Sequence, residues 1–166
     1  MELPIINHPD YVAKINDDNK FPIKKFGALA DYLLKEGVVK KFHRPEECSI
    51  ETMKTSHSLE YINHIKNKTL DIKAQKKIGF PINDSVVRRS FVATGGTVLA
   101  SKLALDSKLA CNTAGGSHHA TFDYGAGYCV FNDVAVAANY LKNRGYAKKI
   151  LIIDLDVKQE NVNTKL

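Results

Sequence analysis

Residues 149–157 read KILIIDLDV. Four consecutive apolar residues, Ile150 to Ile153, lead into Asp154 and Asp156, with Leu155 between them. An apolar run without polar interruption is the pattern of a central parallel strand, covered on both faces. Asp154 and Asp156 are two positions apart, so on a strand they leave from the same side. Two carboxylates on an apolar strand are costly to bury without a cation or donors, which predicts a metal, a charged partner or a structural ion pair beside them.

Working outward, Leu109 to Thr113 reads as a short apolar strand, Gly115 to Phe131 as a glycine-bearing loop, and Asn132 to Lys142 as a helix with Ala and Val on most sides. Strand, crossover helix and strand form the βαβ unit of an α/β fold with a mainly parallel sheet. Ligands in such sheets collect at the carboxyl ends of the strands. The loop GGSHHATFDYGAGYCVFND (115–133) and the DLDVK of 154–158 are therefore expected on one edge. In that loop, the adjacent imidazoles His118 and His119 suit a general base and an electrostatic or general-acid partner.

The first hundred residues supply helices. Phe26, Leu29, Ala30, Leu33 and Leu34 fall at helical spacing with Gly37 just past the end, predicting a helix that lies on a core. A second helix is predicted over Ser58 to Asn67, and a longer one after Asn83-Asp84-Ser85, whose side chains can cap its free amides. The longer helix contains Gly95-Gly96, which costs about 1 kcal/mol per glycine against alanine. Close approach of a neighbouring element explains such a pair.

The 166 residues are 44% hydrophobic and 25% charged, the composition of one ordinary globular domain spanning 1–166. No apolar run has the length of a membrane span, and the first residues lack the basic-then-apolar pattern of a secretory signal. Cys48, Cys111 and Cys129 form no CxxC pair, and an odd thiol fits a cytoplasmic setting. The net charge of +6 comes from scattered lysines, which reads as a solvated surface and predicts no direct nucleic-acid partner.

The segments AGGSHHATFDYGAGYCVFNDVAVAANYL (114–141) and ILIIDLDV (150–157) together resemble the active-site half of the histone deacetylase and acetylpolyamine amidohydrolase family, in its class IV-like bacterial branch. HPDYV, KFPIKKF, SHSLEYI, IGFP and GGTVLASKLAL resemble that branch in the same order upstream. The resemblance implies an arginase-like three-layer α/β fold, here incomplete at the C-terminus, and a zinc-dependent hydrolase that removes acetyl from acetyl-lysine or a small acetylated amine. It makes His118 and His119 the tandem catalytic histidines and Asp154 the acid that supports the first of them and shares in a monovalent-cation site. Asp156 becomes the first zinc ligand. Gly127 and Tyr128 become the wall of the acyl-lysine channel, and Cys129 a structural thiol beside the site.

The tail departs from the pattern. Lys158 stands where the family places a histidine zinc ligand, and an ammonium has no lone pair to give. Glu160 and Val162 replace glycines of a tight turn. The third ligand and the oxyanion-binding tyrosine of the family lie further downstream than Leu166. The expectation is a truncated chain, inactive alone, in which Lys158 pairs with Asp156, and whose exposed sheet edge invites a companion chain or self-association.

Two other readings stay open. A non-catalytic relative would bind acetylated amines through Gly127 and Tyr128 without turnover. A haloacid-dehalogenase-like phosphatase would use Asp154 as nucleophile and Asp156 as acid, but needs a further lysine and acids and leaves the His118-His119 loop without a role. The positive net charge favours a small or acidic acetylated substrate over a basic tail.

Overall fold

The computed structural model describes residues 3–156. Lys158, Glu160 and Val162, and with them the expected Lys158–Asp156 pair, lie outside the described residues. In chain order the elements are β1 (Ile5–Ile6), a 3-10 turn (Pro9–Tyr11), α1 (Lys25–Lys35), α2 (Ile50–Met53), α3 (Leu59–Lys66), α4 (Ile72–Ile78), α5 (Asp84–Ser107), β2 (Cys111–Asn112) and α6 (Asp133–Asn143).

The helix starts follow from their capping residues. Ser58, Asp71, Asn83 and Asn132 each accept a hydrogen bond from the backbone N–H three residues on, satisfying one of the amides that a helix leaves free. Helix α5 is the spine. Its Phe91 and Val92 join Tyr11, Met53, Ile62, Ile65, Ile78, Phe131 and Val136 in the main core. Gly95 and Gly96 are where neighbours come closest. A Cβ at Gly95 would collide with the Glu46 carbonyl oxygen, and one at Gly96 with the Tyr11 hydroxyl. The expected close approach is real.

Strands β1 and β2 pair in parallel, Ile5 with Cys111 and Ile6 with Asn112, and His43 bridges Ile6 in parallel from another part of the chain. The sequence does not announce β1, because two residues in the stretch LPIINHP carry too little alternation to read. Helix α1 divides its apolar residues. Phe26 enters the main core, Ala30 and Leu33 pack on a smaller cluster of Ile5, Val39 and Phe42, and Leu29 and Leu34 stay 41% and 46% exposed.

The strand expected over Lys149 to Val157 does not form within its described part. Residues 149–156 have no regular structure, and Leu151, Ile153 and Leu155 are 81%, 73% and 89% exposed. Apolar residues make a strand only where a neighbour takes up the backbone N–H and C=O groups, and no described strand lies beside this segment. Among the described residues no helix is long and apolar enough to cross a membrane, and the three cysteines are free thiols.

Candidate functional site

The loop between β2 and α6 carries the site, and a buried carboxylate holds it. Asp133, 2% exposed at the first turn of α6, accepts hydrogen bonds from the backbone N–H of Gly116 (3.1 Å) and Ser117 (2.6 Å) and from the Thr97 hydroxyl. Burial pushes its carboxyl above the usual range, and these donors oppose that shift. The residues they fix immediately precede His118 and His119.

His118 is 9% exposed, and its Nδ1 lies 2.6 Å from Asp154 Oδ2. An ionised carboxylate only accepts, so the proton sits on His118 Nδ1 and the ring turns Nε2 towards the cleft. His118 Nε2 lies 3.0 Å from His119 Nε2 and 3.5 Å from Asp156 Oδ2. Asp154 is in turn positioned by the Asp156 N–H, which donates to its Oδ1 at 2.8 Å. That N–H, followed by the His118 ring, holds the Asp154 carboxyl below the usual carboxylate range. Carboxylate, imidazole, imidazole is an arrangement that can take a proton from water and pass charge inward.

The channel wall is built from two unusual backbone conformations. Gly127 has φ +53°, and a Cβ there would sit 2.9 Å from the His119 ring. Tyr128, at φ +66°, is held by its N–H to the Ile78 carbonyl at 2.6 Å and lines the cleft. The ring packs on Phe21 at 5.0 Å and Phe80 at 5.4 Å between centroids. Gly79 makes the room: a Cβ there would approach the Tyr128 ring to 2.7 Å. Cys129 is buried, and burial pushes its thiol up, so it lines the cleft as an inert group.

The result is a cleft of about 610 Å³ lined by His118, His119, Gly127, Tyr128 and Asp156 together with Phe21, Lys25 and Arg89. Of the residues expected from the sequence, His118, His119, Gly127, Tyr128 and Asp156 line this cleft, and Asp154 joins it through His118 Nδ1. Phe21, Gly79, Lys25, Arg89 and Asp133 were not singled out. The segments KFPIKKF, IGFP and AGGSHHATFDYGAGYCVFNDVAVAANYL contain all of them but Arg89.

The chain matches the histone deacetylase domain over residues 20–162. It belongs to the histone deacetylase family. It is 43% identical over 161 residues to an uncharacterized protein of Picosynechococcus sp., covering 96% of this chain and 54% of that one. It is 29% identical over 157 residues to histone deacetylase 2 of Arabidopsis thaliana, covering 85% of this chain and 38% of that protein. Among solved structures it superposes on a histone deacetylase homologue from Aquifex aeolicus with a TM-score of 0.73 and 25% identity, over 88% of this chain and 42% of that one. A homologue complexed with SAHA superposes with a TM-score of 0.74 at 24% identity, again covering 88% and 42%, and shows the shared fold. The chain thus spans between 38% and 54% of the length of these relatives. The fold is the α/β fold of the deacetylases.

Histone deacetylases are generally zinc-dependent. His118, His119 and Asp156 place three potential donor atoms within 4.8 Å of one another. That set is not the one the family pattern calls for, which takes ligands from 156 and 158 and from a later aspartate and leaves the histidine pair for proton transfer. Of that pattern the described residues supply Asp156 alone, and the residue at 158 is a lysine. An ammonium has no lone pair to give, so the lysine at 158 does not fit the family's zinc site.

Proposed function

We propose that this chain forms the acyl-amine-binding and proton-handling half of a deacetylase site, with acetyl-lysine or a small acetylated amine as ligand. The observation that supports this most is the ordered trio of Asp154, His118 and His119 at the cleft whose wall is Tyr128. Tyr128 and Phe21 offer apolar faces to a methylene stem, and the histidine pair meets the acyl end. An acetyl amide is unreactive, and its hydrolysis needs a polarised carbonyl together with an activated water. With lysine at 158 the first of these is not supplied, so the 166-residue polypeptide binds without turnover. The exposed apolar side chains of Ile150 to Ile153 and Leu155 further support a companion chain that adds a strand there.

Calorimetric titration of the 166-residue polypeptide with Nε-acetyl-lysine tests the binding, and a fluorogenic acetyl-lysine substrate tests turnover. Binding that is lost in Tyr128→Ala, without deacetylation by the parent or by Lys158→His, is the expected result. Deacetylation by either polypeptide, or affinity indifferent to Tyr128, would overturn the proposal.

A further inference from the structure

We infer, resting on the acyl-amine reading above, that the substrate carries a carboxylate at the end remote from its acetyl group, and that Lys25 receives it. Lys25 lines the same cleft as Tyr128 and the histidine pair. Its ammonium lies 5.0 Å from the Phe21 ring centroid and 5.2 Å from that of Phe26, and Phe21 in turn packs on Tyr128. The charge is therefore one aromatic ring away from the channel wall.

Among the described residues no carboxylate lies within 4 Å of this ammonium, whereas its neighbour Lys24 is paired with Asp17 at 2.8 Å. Ring faces attract a cation but leave its N–H donors for a further acceptor. Arg89 reinforces the sign. Its guanidinium is buried on the same wall, 4.9 Å from the Phe26 ring, with Nε donating to the Tyr11 carbonyl. Across the channel loop, Lys77 accepts the Gly127 N–H on its carbonyl and holds its ammonium 3.4 Å from the Tyr124 ring centroid.

Charge along the cleft is thus segregated. Carboxylates, Asp154 and Asp156, stand at the histidine end, and cations stand on the α1 and α5 wall. A ligand with a neutral acetyl amide at one end and a carboxylate at the other matches both ends. An acetylated polyamine, cationic at its far end, meets Lys25 with like charge.

The test compares Nα,Nε-diacetyl-lysine with its methylamide, which differ in the carboxylate alone, by titration calorimetry against the whole 166-residue chain. An exposed ion pair of this kind sets the expected preference for the acid at about fivefold. The preference disappears in Lys25→Gln and survives in Lys25→Arg, and rising salt weakens it. A peptide amide carrying aspartate beside acetyl-lysine separates an acidic side chain from a free α-carboxylate as the source of the charge. Equal affinity for acid and methylamide in the parent chain, or an unchanged preference in Lys25→Gln, would overturn the role of Lys25 while leaving the acyl-amine site standing. Binding of neither compound would overturn both.

Discussion

His57 makes the stability of this domain depend on pH in a window that can be worked from its surroundings. The ring is 1% exposed, between α2 and α3, and its Nε2 accepts the N–H of Asn132 at 2.9 Å. Asn132 in turn caps α6 and donates from its side chain to the Ala120 carbonyl, so one unprotonated nitrogen ties both ends of the histidine loop to the core. Nδ1 is buried and closes no well-formed hydrogen bond, although it approaches the backbone of Thr121 and Phe122. Burial lowers the pKa from 6.5 to about 4. The unfolded chain takes up the proton first as pH falls, so the stabilisation is fully present above 6.5 and is lost between 6.5 and 4. At pH 5 the loss amounts to about 2 kcal/mol, and it levels at about 3 kcal/mol below the folded pKa. Urea unfolding of the parent and of His57→Gln, each at pH 7.5 and pH 5, isolates the contribution. The parent should lose about 2 kcal/mol more than the variant over that interval. An equal loss in both chains would refute the assignment of this pH dependence to His57.

Three further perturbations follow from the packing. Gly95→Ala drives a Cβ into the Glu46 carbonyl, which the backbone must relieve, and should lower stability by about 1–3 kcal/mol in urea unfolding. Asp133→Asn turns an amide N–H₂ towards the Gly116 or Ser117 amide and should cost about 1–3 kcal/mol, with shifted His118 and His119 imidazole resonances reporting the displaced loop. Gly79→Ala combines a left-handed conformation at φ +89° with contact against the Tyr128 ring. It should cost about 1–2 kcal/mol of stability through strain, and acetyl-lysine affinity should fall further in calorimetry as the channel wall moves.

Much of the helical frame was legible because its signals are local. Asn83 and Asn132 announce α5 and α6 by their side chains, and Gly37, at φ +67°, ends the α1 region as expected. Gly95 and Gly96 correctly pointed to a close neighbour, without saying that it would be the Glu46 carbonyl and the Tyr11 hydroxyl. Strands depend on what lies beside them. Ile5–Ile6 is a strand because Cys111 and His43 flank it, and 149–156 is none despite its composition. In the site, adjacency in sequence exposed His118-His119 and Asp154-Leu155-Asp156, whereas Asp133 reads as one more acid in the first turn of a helix. Its importance comes from the two amides that it reaches 16 and 17 residues earlier.

The parallel pair of β1 and β2 has a consequence for the time at which the site comes into being. Asn7 bonds Thr113 across 106 residues, and Tyr11 bonds Asn112 across 101. At translation rates of about 5–20 residues per second, Ile5 and Ile6 wait roughly 5–20 s on the ribosome for their partners. Until β2 arrives, the sheet that presents the His118 loop has no second strand, while the locally closed α3 and α4 are already able to form. Appearance of the histidine pair is therefore a late event in synthesis, set by distant closure more than by helix formation.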